Sequence, residues 1–180
     1  MQFFRQIWAF IVAAIVAVLS FFNINTGWIN PPVTTTAPTT TTTQATTKAP
    51  QTFTVSVAAI QALGLSEVSI TVTTLNSFGT VKSYAIVGPK LKDVLAALGA
   101  DMTAVNANSV LQVKCTDPSD PASADYNYFL INSNDSIFAL TIGGSAADAP
   151  RLFAAVEPGN TYSDSGKAVK MVDTLILNYN

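Results

Sequence analysis

The sequence predicts an α+β fold, a mostly β mixed sandwich or barrel-like domain with one or two short helices, preceded by a single N-terminal transmembrane helix and a disordered stalk. Three observations predict it: an apolar run without charge near the N-terminus, a Thr/Pro tract after it, and a C-terminal stretch of short alternating segments around one helical pattern. Of 180 residues, 49% are hydrophobic but only 11% are charged. Soluble domains run near ~25% charged, so uncharged segments dilute the average.

The first element is the apolar run. From Ile7 to Phe22, IWAFIVAAIVAVLSFF carries no charge, and Arg5 is the one charged side chain before it. The residues from Val18 to Asn25, VLSFFNIN, hold no small-x-small cleavage pattern, so an uncleaved signal anchor is expected over residues 1–30. Trp8 and Trp28 lie twenty positions apart, which at about 1.5 Å per residue is about 30 Å, the thickness of the hydrocarbon core. No cysteine near position 20 offers a lipoprotein anchor. Arg5 on the short side places the remainder outside the cytoplasm by the positive-inside bias. A single-pass cell-membrane protein with an extracytoplasmic C-terminal domain is the expectation.

Next comes a stalk at residues 31–51, PPVTTTAPTTTTTQATTKAPQ, with Lys48 as its one charge. Such a composition buries too little apolar surface to fold alone. It reads as an extended spacer, glycosylated or plain.

The expected domain is 52–180, long enough for one core. It carries all eleven acids and seven of the nine cations. Alternation at Phe53/Val55/Val57 and at Val68/Ile70/Val72 predicts strands with one wet face. Gly88-Pro89 opens a helix in which Leu91, Val94, Leu95 and Leu98 share a face and Gly99 supplies the stop. Further strands are expected at Val110–Cys115, Tyr126–Ile131, Ile137–Ile142, Arg151–Val156 and Val169–Leu177, with Gly143-Gly144 as a hairpin turn.

The chemistry is bounded by what is missing. With no histidine and one cysteine, Cys115, the usual zinc sites, Ser-His and Cys-His dyads and any intrachain disulfide are excluded. A net charge of −2 without a basic cluster removes nucleic acid as a partner. Cys115 shares a face with Leu111 and Val113, opposite Val110, Gln112 and Lys114, and reads as a core thiol. Asp117, Asp120 and Asp125 lack EF-hand spacing and read as an acidic turn. Ser163 to Lys167, SDSGK, lacks the S-x-x-K spacing and reads as a turn before the last strand. Glu67, Asp93, Glu157 and Asp173 show no convergence that would pair them for acid/base work. The Asn134-Asp135-Ser136 sequon is too short a match to carry weight. Tyr126, Tyr128, Phe129 and Tyr162 read as half-buried strand aromatics or as a rim beside Arg151 and Lys170.

The order of GTVKSYAIVGPKLKDVLAALGA, VLQVKCTDPSDPASADYNYFL, SIFALTIGG, APRLFAAVEPG and KAVKMVDTLILN resembles the sulfite-oxidase-like molybdopterin-binding domain family. The family's "GxxLxxLL" helix start is matched by Gly88, Leu91, Val94 and Leu95. Its "PLRLVVPG" strand is matched by Pro150, Arg151, Leu152, Val156, Pro158 and Gly159, and its "VKW" strand by Val169, Lys170 and Met171. The resemblance implies a mostly β fold around a pterin cofactor, with Arg151 and Lys170 as the cofactor-binding positions; the aromatic rim beside them suits a small polar or anionic ligand, and a surface protein is the other expected partner. The sequence departs from the family where a cysteine thiolate ligates molybdenum: Thr73-Thr74-Leu75-Asn76-Ser77 stands there. The "DGY" stretch survives only as Asp125-Tyr126. Without a thiolate neither a metal nor a bound cofactor is expected, and molybdopterin is implied by the resemblance alone. The expectation is a non-catalytic binding or surface-interaction module; the alternative is a divergent molybdopterin-dependent oxidoreductase acting outside the cytoplasm.

Overall fold

A computed structural model describes residues 48–180. The expected signal anchor, with Trp8 and Trp28, and the expected stalk up to residue 47 lie outside the described residues. Its last four residues, Lys48–Gln51, do not: they open strand β1 (Lys48–Thr54), which pairs antiparallel with the final strand. Lys48 and Gln51 join its ladder, so the folded unit reaches four residues further toward the N-terminus than hydrophobicity indicates. Among the described residues no helix is long and apolar enough to cross a membrane.

After β1 the chain forms α1 (Val57–Ala62), β2 (Glu67–Leu75), β3 (Val81–Pro89), α2 (Leu91–Ala97), β4 (Val110–Cys115), β5 (Ala122–Tyr126), α3 (Tyr128–Asn132), β6 (Ile137–Ile142), β7 (Ser145–Phe153), β8 (Ser163–Asp164) and β9 (Thr174–Tyr179). One sheet has the order β1-β9-β4-β5 and is antiparallel throughout. The other has the order β7-β6-β3-β2-β8, with β2 and β8 parallel. The expected α+β class, mostly β, holds.

Two apolar layers follow from the alternation. Leu111, Val113, Cys115, Leu175 and Leu177 of the first sheet pack with Phe138, Leu140 and Leu152 of the second and with Ile60, Leu91, Val94, Leu95, Leu130 and Ile131 of the helices. On the opposite face of the second sheet Val72, Ile86, Ile137, Ala139, Phe153 and Ala168 form a smaller core. Strand β6 is buried on both faces over Ile137 to Leu140, which explains the apolar run there.

The helices are too short to persist alone. In α2 the i, i+3, i+4 set Leu91, Val94 and Leu95 is fully buried, at about 1.5–3 kcal/mol each, which outweighs the nucleation cost. Gly99 at φ +87° ends that helix as expected.

Several expected strands are corrected. The run Tyr126–Ile131 is the end of β5 followed by α3, because the Asn127 side chain accepts from the Leu130 backbone N–H at 3.0 Å and caps a helix there. The alternation of Phe53, Val55 and Val57 breaks after Thr54, where Ser56 caps α1 at Ala59 N–H, 3.1 Å away. β7 begins at Ser145 and stops at Phe153, not Val156. Residues 169–173 are irregular, with Met171 at φ +50°, so the last strand begins at Thr174. Ser163–Asp164, read as a turn, forms β8.

Candidate functional site

A concavity of about 630 Å³ is lined by Leu75, Asn76 and Ser77 on one side and by Gly159 to Asp164 on the other. The first wall is the tip of the β2–β3 hairpin. Asn76 holds it, its side-chain oxygen accepting from the backbone N–H of Phe78 at 3.0 Å and of Thr80 at 2.8 Å. Gly79 at φ +78° completes the turn. Phe78 is left 91% exposed at the apex.

The second wall is braced at both ends. Ser163 and Asp164 pair with Thr74 and Leu75. The buried Ser163 hydroxyl donates to Ala154 C=O at 2.8 Å, and Asp164 Oδ1 accepts from Gly166 N–H at 2.8 Å, starting a 3-10 turn over Ser165–Lys167. The buried Tyr126 hydroxyl donates to the Lys167 carbonyl at 2.5 Å. Burial, with the Asp164 charge adding to it, pushes this phenol well above its usual range. Lys167 also pairs with Glu157 at 2.9 Å, and Asn127 donates to the same carboxylate at 2.7 Å. The Lys167 hydrogen bond holds Glu157 below its ordinary value against partial burial. Both ends of residues 157–167 are therefore tied down, and the cleft has fixed walls.

Arg151 and Lys170, the expected cofactor-binding pair, lie on neighbouring backbone: Leu152 N–H donates to Val169 C=O at 3.0 Å and Val172 N–H to Pro150 C=O at 2.9 Å. Neither lines this cleft. The Arg151 guanidinium stacks on Phe153 at 4.6 Å and Tyr84 at 5.0 Å, with Nε buried and unpartnered, while Lys170 is exposed in the bend before β9. Thr74 is buried, and Cys115 is buried in the other sheet beside a separate shallow cleft with Lys114 and Pro121 to Ser123. Thr74, Cys115, Arg151 and Lys170 thus do not surround one cavity.

The aromatic rim also divides. Tyr126 is fully buried, Tyr128 is exposed, Tyr162 lines the cleft and Phe129 lines a different groove. Asp117 is engaged by Ser119, whose N–H and hydroxyl donate at 2.8 and 2.6 Å, and Asp125 sits opposite Gln112 on β5. Asp173 accepts from the Thr116 N–H and hydroxyl at 2.7 and 2.8 Å. Burial pushes its carboxyl up, but these bonds and one from Thr174 outweigh it and the net shift is downward.

The cleft lining holds no sulfur and no cation, and its one charge is Asp164. A molybdopterin needs a metal ligand and positive groups for its phosphate. These residues do not fit it. Asn160, Thr161 and Ser77, missed as lining, carried only a turn-former signal in NSFG and EPGNTYSD. Comparison of the chain with protein-family models, with curated proteins and with solved structures gave no match.

Proposed function

We propose that the chain is a membrane-anchored extracytoplasmic binding module, a domain of sulfite-oxidase-like molybdopterin-binding fold that takes a small polar ligand in the 630 Å³ cleft and performs no redox chemistry. One observation carries the reading. The wall from Leu75 to Ser77 belongs to the stretch that the resemblance matches to the metal-ligating thiolate, and it faces hydroxyls, an amide, the Tyr162 ring and Asp164. Such a lining hydrogen-bonds neutral or cationic ligands and repels anions. That favours a different ligand charge from the anion expected beside Arg151 and Lys170.

The test uses the full-length chain produced in a host that makes molybdopterin. Metal analysis and oxidative pterin release are expected to give neither stoichiometric molybdenum nor pterin. A ligand screen by thermal shift is expected to select neutral or cationic polar compounds, with binding weakened by Tyr162→Ala. Asp164→Asn, which keeps the Oδ1 acceptor, is expected to weaken the cations alone. Stoichiometric molybdenum would replace this reading with the oxidoreductase, and a preference for anions would remove the cleft as the site.

A further inference from the structure

We propose that the open edge of β2 is a strand-docking site for an extended, basic peptide segment of a partner protein. This goes beyond the cleft reading and uses different residues. β2 pairs with β3 along its whole length, from Glu67 opposite Pro89 to Leu75 opposite Val81, without a bulge. On its other edge only Thr74 and Leu75 have a strand partner, the two residues of β8. Among the described residues the Glu67–Thr73 edge pairs with no strand. Folded proteins blunt such edges with lysine, proline or a bulge, and EVSITVT has none of these.

The edge is also bordered by a groove. About 300 Å³ lies between Ile70–Thr73 on one side and Phe129, Asp135 and Ala154–Val156 on the other. Phe129 and Val156 are 39% and 40% exposed, so apolar surface stands ready for alternate side chains of an incoming strand. β8 already occupies the far end of the edge in parallel orientation. A docked segment would continue that strand.

Charge selects the occupant. Asp135 is the one charged residue lining the groove, and its carboxylate has no hydrogen-bond or ion-pair partner among the described residues; only its backbone N–H is engaged, by Ser133 at 3.1 Å. A lysine or arginine on the peptide meets that carboxylate. A second copy pairing edge to edge would add only further Glu67 and Asp135 carboxylates to the joint, which disfavours it.

The test is fluorescence anisotropy on the full-length chain with an eight-residue peptide alternating valine and threonine and ending in two lysines. Saturable binding is expected. N-methylation of alternate peptide amides removes backbone donors and is expected to weaken it at least about tenfold. Asp135→Lys, at an exposed position, is expected to weaken it about 3- to 10-fold and to shift preference to a peptide ending in two glutamates. Amide exchange across 70–73 should slow on binding, and Tyr162→Ala should leave binding unchanged, which separates this site from the cleft. Equal binding of the N-methylated peptide, no binding at millimolar peptide, or self-association that the peptide does not compete with would each overturn the proposal.

Discussion

Replacing Gly88 by alanine asks how tightly β3 is seated on β6. A Cβ at this position would stand 1.8 Å from the Phe138 carbonyl oxygen and 2.9 Å from its carbon. Carbon–oxygen contacts settle near ~3.3 Å, so the two strands would have to part by about 1.5 Å at the centre of the five-stranded sheet. Overpacking of this kind costs about 1–3 kcal/mol. Stretching the adjacent ladder pairs Ile86–Ile142 and Val87–Thr141 adds about 1 kcal/mol each. The expected loss is about 3–5 kcal/mol, a large share of the 5–15 typical of a domain, and about 10–20 °C in Tm. Gly79→Ala is the control. That glycine sits at φ +78° with no atom within 4 Å of a built Cβ, so its cost is the left-handed backbone alone, about 1–2 kcal/mol. Urea unfolding followed by near-UV circular dichroism measures both. A Gly88→Ala loss below that of Gly79→Ala would refute the close approach as the reason for glycine.

Three further outcomes follow from the geometry. Tyr126→Phe deletes the hydroxyl that reaches the Lys167 carbonyl and is expected to lose about 1–2 kcal/mol in urea unfolding, with faster amide exchange over 165–167. Hydrogen bonds from Lys48 and Thr103 hold Asp101 at about 2, against 3.8. Its contribution to stability is present above about pH 4 and is lost as pH falls through 2. Lys48→Met should therefore raise the Asp101 titration midpoint, read by carboxylate NMR, and flatten the acid limb of stability. Arg151→Met removes two cation–π contacts but also a buried Nε without a partner. The two effects offset, and denaturation should shift by less than about 1 kcal/mol; a loss above about 3 kcal/mol would show that the guanidinium is a structural keystone.

What the sequence made legible is what periodicity controls. β6 falls at Ile137–Ile142 and β4 at Val110–Cys115 as the patterns predict, α2 occupies the expected helical face, and Gly143-Gly144 turns the hairpin with φ +60° and +83°. Cys115 is buried, as alternation requires. The misses share a cause. A capping side chain at Ser56 or Asn127 converts a strand-like run into helix, and one polar residue changes the geometry while the apolar count stays constant. β1 and β8 exist because partners across the sheet supply their hydrogen bonds, and a partner distant in sequence leaves no local trace. The cleft was hidden for the same reason: its walls are more than eighty residues apart in sequence and are brought together by the two-residue pairing of β2 with β8. Arg151 and Lys170 were expected at a cofactor through the family resemblance, yet one stacks on rings and the other faces water.

The pairing of β1 with β9 has a mechanical consequence. Lys48 lies opposite Tyr179, so the start of β1 and the end of β9 stand side by side, at the same end of one ladder. Tension between these two points loads the cross-strand bonds in sequence, from Lys48–Tyr179 inward, and not all together. Peeling of this kind yields at low force, whereas bonds that are loaded all together resist more. How firmly the domain resists traction is thus set by where the load is attached as well as by its thermodynamic stability.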